Sequence, residues 1–163
     1  MTYDKKKNYN KHNSFQENLL LGKIAEQIVE SIFSESDVPI FRYGYENFLP
    51  QLQGNHNLEG NLVDEIKSQS DFIFIDEEKR LHYLEVKYRK NKKSLKSLIQ
   101  DIQEDDLYPE FVIGITKKRI YAIDFSQKYP ELKNLTQYPE FKNISKKIIL
   151  KYLDYVKKIY KDL

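Results

Sequence analysis

Residues 70–93 read SDFIFIDEEKRLHYLEVKYRKNKK, and this stretch restricts the fold more than any other. Two runs rich in β-branched and aromatic residues, FIFI and LHYLEVKY, flank a charged turn around Glu77, Glu78 and Lys79. That pattern predicts a β-hairpin with strands over 71–76 and 81–88. With the turn centred near Glu78, Asp71 faces Glu85 directly across the two strands, their Cβ atoms about 5 Å apart. Lys87, two residues on, shares that face because side chains alternate along a strand. A slip of one residue would send Asp71 to the other side of the sheet, so everything built on this trio depends on register. His82 alternates with Leu84 and Val86 to the opposite face and reads as structural.

The other elements follow from periodicity. Phe15, Leu19, Leu20, Ile24, Ile28, Ile32 and Phe33 recur at helical spacing, with Ser14 and Glu17 placed as a capping box, so a first helix is expected over 14–34. Residues 1–13 are polar and read as a flexible segment. VPIFRYGYENF supplies a strand near 39–46, and a long Gly-, Asn- and Gln-containing connection then leads to the hairpin. Leu95, Leu98, Ile99 and Ile102 predict a second helix over 94–105; FVIGIT and RIYAIDF predict strands over 111–116 and 119–125. A C-terminal amphipathic helix is expected from about 138. Tyr-Pro-Glu occurs at Tyr108, Tyr129 and Tyr138, and the later two copies read as helix starts, since Pro then Glu suits a helix N-terminus. The expectation is one α/β domain over 14–163, a central mixed sheet flanked by helices.

Composition narrows the chemistry. A chain of 163 residues supports a single core. No window approaches the run of about 18 apolar residues that a membrane span needs, and no signal peptide is recognisable, so a cytoplasmic protein with no membrane partner is expected. There is no Cys, and His12, His56 and His82 do not sit at zinc spacing, so any metal would be held by oxygen. The net charge is only +2, but Lys87, Arg89, Lys90, Lys92, Lys93 and Lys96 follow one another with no intervening acid. Such a run suits a solvated helix start, and it equally suits phosphate contact through Arg89, Lys90, Lys92 and Lys93.

Two carboxylates converging at the end of an apolar hairpin repel each other and are costly to desolvate unless a positive charge neutralises them. A divalent cation does so. One or two carboxylates, a backbone carbonyl and waters suit Mg²⁺ or Mn²⁺, and a lysine alongside can stabilise developing negative charge.

Asp71 followed by Glu85-Val86-Lys87 resembles the signature of the PD-(D/E)XK nuclease superfamily, the restriction endonuclease-like fold, whose core runs helix, strand, strand pair, helix, strand. The resemblance covers roughly 14–125. Gly22-Lys23-Ile24-Ala25-Glu26 is similar to the first-helix pattern of small Holliday junction resolvase-like nucleases. It implies a Mg²⁺- or Mn²⁺-dependent deoxyribonuclease that cuts DNA internally. Glu26, Asp71, Glu85 and the Val86 carbonyl would be its metal ligands, and Lys87 would complete the catalytic set. It also makes a homodimer plausible, and so short a chain suits a protein partner for targeting. The Pro that names the motif is replaced by Ser70, and a Gln-x-x-x-Tyr element of one branch has no counterpart, Gln103 and Tyr108 lying five apart.

Plainer readings stand beside these. Glu26 also suits a solvent-facing helix acid, Asp71 a polar strand start, and Glu85 with Lys87 an ion pair on an exposed face. Glu46 is a further acidic candidate. At the level of function, the alternatives are a catalytically inactive nuclease-fold module for nucleic-acid or protein binding, and an unrelated α+β interaction protein in which the three charges do not converge with Glu26.

Overall fold

The structure is a computed structural model that describes residues 5–43, 70–103 and 109–161, with the side chains of 5–15, 99, 102 and 103 excepted. Glu46, Tyr108, the end of the first predicted strand and the connection leading to Ser70 lie outside the described residues. The elements run α1 (Lys5–Glu35), β1 (Ile40–Arg42), β2 (Phe72–Ile75), β3 (Leu81–Tyr88), α2 (Lys92–Gln103), β4 (Phe111–Ile115), β5 (Ile120–Asp124), β6 (Lys133–Asn134), two 3-10 turns (Leu135–Gln137 and Pro139–Phe141) and α3 (Lys146–Ile159). Among the described residues no helix is long and apolar enough to cross a membrane.

The strands form one mixed sheet in sequence order, β1 to β6. β3 and β4 are parallel, joined by the crossover that contains α2, and every other neighbouring pair is antiparallel. The hairpin register pairs Phe72 with Leu84 and Phe74 with His82. Continued by one residue, that register sets Asp71 opposite Glu85, as the sequence predicts.

One face of the sheet carries the main core. Phe72, Phe74, Leu84, Val86, Phe111, Ile113 and Ile115 meet Ala25, Ile28, Val29, Ile32 and Phe33 of α1 and Ile149, Leu153 and Val156 of α3. On the other face Val112, Ile123 and Phe125 form a smaller cluster. There α2 comes so close to β4 that a Cβ on Gly114 would lie 2.3 Å from a methyl of Leu95. α2 starts where Asn91 caps it, its Oδ1 accepting the Ser94 N–H at 2.9 Å.

Several expectations need correction. α1 begins at Lys5, so the segment expected to be flexible is helical for most of its length and Ser14 lies inside the helix rather than capping it. The cause is the stretch KKKNYNKHN, which has no Pro or Gly to stop a helix once the apolar face beyond it is packed. α3 starts at Lys146, later than 138, because the chain first makes two 3-10 turns. The Tyr-Pro-Glu at Tyr138 opens the second of these with Pro139, whereas the copy at Tyr129 leads into β6. His82 is structural: it is buried, stacks on Phe74 at 4.9 Å, and joins Asp76 at 2.9 Å and Glu110 at 2.8 Å.

Candidate active site

β2 begins at Phe72, and Asp71 occupies the bend before it. Its main chain is held from one side, where the Tyr43 N–H beyond β1 donates to the Asp71 carbonyl at 2.9 Å. Its side chain is held from the other, where Oδ2 accepts the Val86 N–H of β3 at 2.8 Å. The N–H and C=O of a strand residue point to the same neighbour, so the Val86 carbonyl is directed toward the edge where Asp71 sits. This places a carboxylate and a backbone carbonyl together where the β2–β3 ladder ends.

Glu85 and Lys87, on the same face as Asp71 by alternation, pair with each other through Oε1 and Nζ. Their side chains are 19% and 32% exposed, neither surface-free nor core. Burial pushes the Asp71 carboxyl up and the nearby Glu85 charge adds to it; the Val86 N–H, Lys87 and Lys23 oppose the rise but leave it at about 6. An acid so raised sits mainly in a poorly solvated place, with a like charge beside it, where its ionised form is costly.

α1 supplies the opposite wall. A cleft of about 590 Å³ is lined by Gly22, Lys23 and Glu26 from α1, by Asp71, and by Val86 to Lys90 of β3 and the loop after it. A Cβ on Gly22 would meet nothing within 4 Å, so this helix position opens the wall toward the cleft. Glu26 is only 14% exposed and is drawn to Lys23 at 3.4 Å and Arg42 at 3.3 Å. Arg42 also reaches Glu30 at 2.6 Å and lies over the Phe72 ring at 5.2 Å.

The cleft therefore brings Glu26, Asp71, Val86, Lys87, Arg89 and Lys90 together, with Glu85 beside Asp71 behind its lining. Lys92 and Lys93 sit farther out at the start of α2, where the Lys92 ammonium lies 5.4 Å over the Tyr121 ring. Among the described residues, no three or more His, Asp or Glu side chains are grouped so as to hold a metal ion. The donors that fit a hard cation are Asp71, Glu85 and the Val86 carbonyl, all oxygen, the two carboxylates near enough to raise Asp71 further than burial alone. Glu26 in this arrangement serves Lys23 and Arg42.

Sequence reasoning did not single out Lys23 or Arg42. Lys23 stands three residues before Glu26, a helical spacing that signals a neighbour on the same face. Arg42 carries no such local signal, because its meeting with α1 depends on how β1 docks. Comparison with protein-family models, curated proteins and solved structures finds no match to this chain.

Proposed function

We propose that this protein is a divalent-metal-dependent endonuclease that hydrolyses DNA phosphodiester bonds in the cytoplasm. The observation that carries the reading is the raised, half-buried Asp71 set beside Glu85 and Lys87 at the mouth of a cleft rimmed by Arg89 and Lys90. The order helix, three antiparallel strands, crossover helix and parallel strand supports a restriction endonuclease-like classification of the α/β sheet.

In this reading Asp71 and Glu85, with the Val86 carbonyl, would hold Mg²⁺ or Mn²⁺. Once bound, the cation supplies charge neutralisation at the scissile phosphate and activates the attacking water. Glu85 orients the Lys87 ammonium, which donates to a phosphate oxygen as negative charge builds in the transition state. Arg89 and Lys90 hold the backbone entering the cleft, and Lys92 and Lys93 continue that contact. Glu26 keeps Lys23 and Arg42 in place on the α1 wall, and becomes a ligand only by leaving them. A homodimer would bring two such clefts to two strands, and a protein partner would supply targeting.

The test is cleavage of plasmid, branched and single-stranded DNA with Mg²⁺ or Mn²⁺. Asp71→Ala and Lys87→Ala are each expected to lower the rate by about 100- to 1000-fold, the scale of losing one preorganised electrostatic contact. Cleavage persisting in either variant removes the mechanism. One observation favours a second reading, a nuclease-fold module that binds without cutting: Lys87 is tied to Glu85, and Glu26 to Lys23 and Arg42. Calorimetry with Mn²⁺ separates the two, since heat of binding lost in Asp71→Ala belongs only to the first.

A further inference from the structure

Several cations gather at the cleft end of the sheet. β3 and β4 run parallel and both finish at the cleft end of the sheet, where the Arg89 N–H donates to the Ile115 carbonyl at 3.0 Å. The β4–β5 turn lies at that same end and reads Lys117-Lys118-Arg119. The opposite end carries acids and cations together: Asp76, Glu77, Glu78, Lys79 and Arg80 in the β2–β3 turn, Glu110 before β4 and Asp124 at the close of β5, with Lys142 paired to Glu77. In a chain of net charge +2, the cations at the opposite end stand among acids, with Arg80 and Lys142 in ion pairs, whereas Lys117, Lys118 and Arg119 stand in a row.

The turn is rigid. Thr116, buried, accepts the Lys118 and Arg119 N–H groups on Oγ1 at 3.3 and 3.1 Å and donates from it to the Arg119 carbonyl at 3.0 Å. Among the described residues none of Lys117, Lys118 and Arg119 forms an ion pair, whereas Arg80, Lys87, Lys142 and Lys151 all do. Lys118 and Arg119 also line a groove of about 390 Å³ with Asn134, Thr136 and Lys146. The fixed backbone holds three unpaired cations close together for a polyanion without a loop to order.

We propose that Lys117, Lys118 and Arg119 form a second contact station for a DNA backbone, continuing past the cleft along the end of the sheet. The turn lies between β4 and β5, about two and a half strand spacings across from Asp71. It also stands about five residues farther along the strands, since Asp71 is opposite Glu85 and Glu85 pairs with Val112, so Asp71 and the turn are about 20 Å apart. That is the axial length of about six nucleotides of duplex. The station therefore grips phosphates about six nucleotides from the one at Asp71. The inference rests on the nucleic-acid half of the reading above and not on its chemistry.

The experiment is the salt dependence of binding to a fluorescent duplex of about 20 base pairs, in metal-free buffer so that no cleavage intervenes. Each lost phosphate contact lowers the slope of log affinity against log salt by about 1. The variant Lys117→Ala/Lys118→Ala/Arg119→Ala is expected to lose about 2 to 3 from the slope, with an unchanged melting temperature. The control Lys79→Ala/Lys128→Ala/Lys142→Ala, which removes the same charge from the opposite end of the sheet, is expected to keep the wild-type slope. Equal slopes for wild type and the turn variant, an equal fall in the control, or no binding by wild type each overturn the station. Binding with the expected slope change but no cleavage with Mg²⁺ or Mn²⁺ leaves the station standing and removes the catalytic reading. Cleavage with equal slopes does the reverse.

Discussion

At the scale of single residues, Asp71 is where local geometry and chemistry meet. Its backbone is fixed by Tyr43, its carboxylate by Val86, and its proton by burial and Glu85. The sign of the resulting pH dependence is definite. A carboxyl whose folded value, about 6, lies above its unfolded value of about 4 binds protons more tightly when folded, so its contribution to stability is complete below pH ~4. It is lost as pH rises through about 6. Chemical denaturation of metal-free protein is expected to show stability falling across that window. Asp71→Asn, which keeps the acceptor for the Val86 N–H, is expected to flatten the decline; a slope unchanged in that variant would assign the effect to another group.

At the scale of elements, the contact between α2 and β4 sets the shape of the sheet beside Lys87. Gly114 pairs with Lys87 across the parallel ladder, and Leu95 fills the space where a side chain on Gly114 would stand. Leu95 is fully buried, so it can make way only by repacking against its neighbours. Gly114→Ala is expected to destabilise the protein by about 1–3 kcal/mol, the usual cost of overpacking. Gly22→Ala makes the contrast, since open space surrounds that position on α1. It is expected to stabilise by about 0.5–1 kcal/mol through helix propensity alone. Urea denaturation of the two variants measures both, and a loss of stability in Gly22→Ala would mean that the cleft wall cannot take a methyl group.

At the scale of the whole molecule, the last helix is tied to the first beside the cleft, whose lining includes Leu21 and Tyr88. Tyr160, just past α3, is buried, stacks on Tyr88 with centroids 4.1 Å apart and planes at 8°, and donates from its hydroxyl to the Leu21 carbonyl at 3.0 Å. One side chain thus ties the last helix to the first and to the strand that bears Lys87. Tyr160→Phe removes the hydrogen bond and leaves a buried carbonyl of α1 without that donor. A loss of about 1 kcal/mol is expected. Tyr160→Ala also removes the ring, and about 3–5 kcal/mol is expected. Thermal denaturation checks both, and near-equal losses in the two variants would show that the ring contributes little.

What the sequence by itself determined is the hairpin and its register, because FIFI and LHYLEVKY alternate about one charged turn and a slip would bury the wrong face. From that register alone Asp71, Glu85 and Lys87 fall on one face, and His82 falls into the core. The sequence also carried the strands over 111–115 and 120–124 as short apolar runs separated by basic residues. Only the tertiary structure decided that Glu26 reaches the cleft wall, and that Arg42 and Lys23 hold it there. It alone also decided that the β4–β5 turn stands at the same end of the sheet as Arg89 and Lys90. The physical reason is range. Alternation and helical spacing act between near neighbours in the chain, whereas these placements follow from packing α1 on the sheet and from the direction in which β4 runs beside β3.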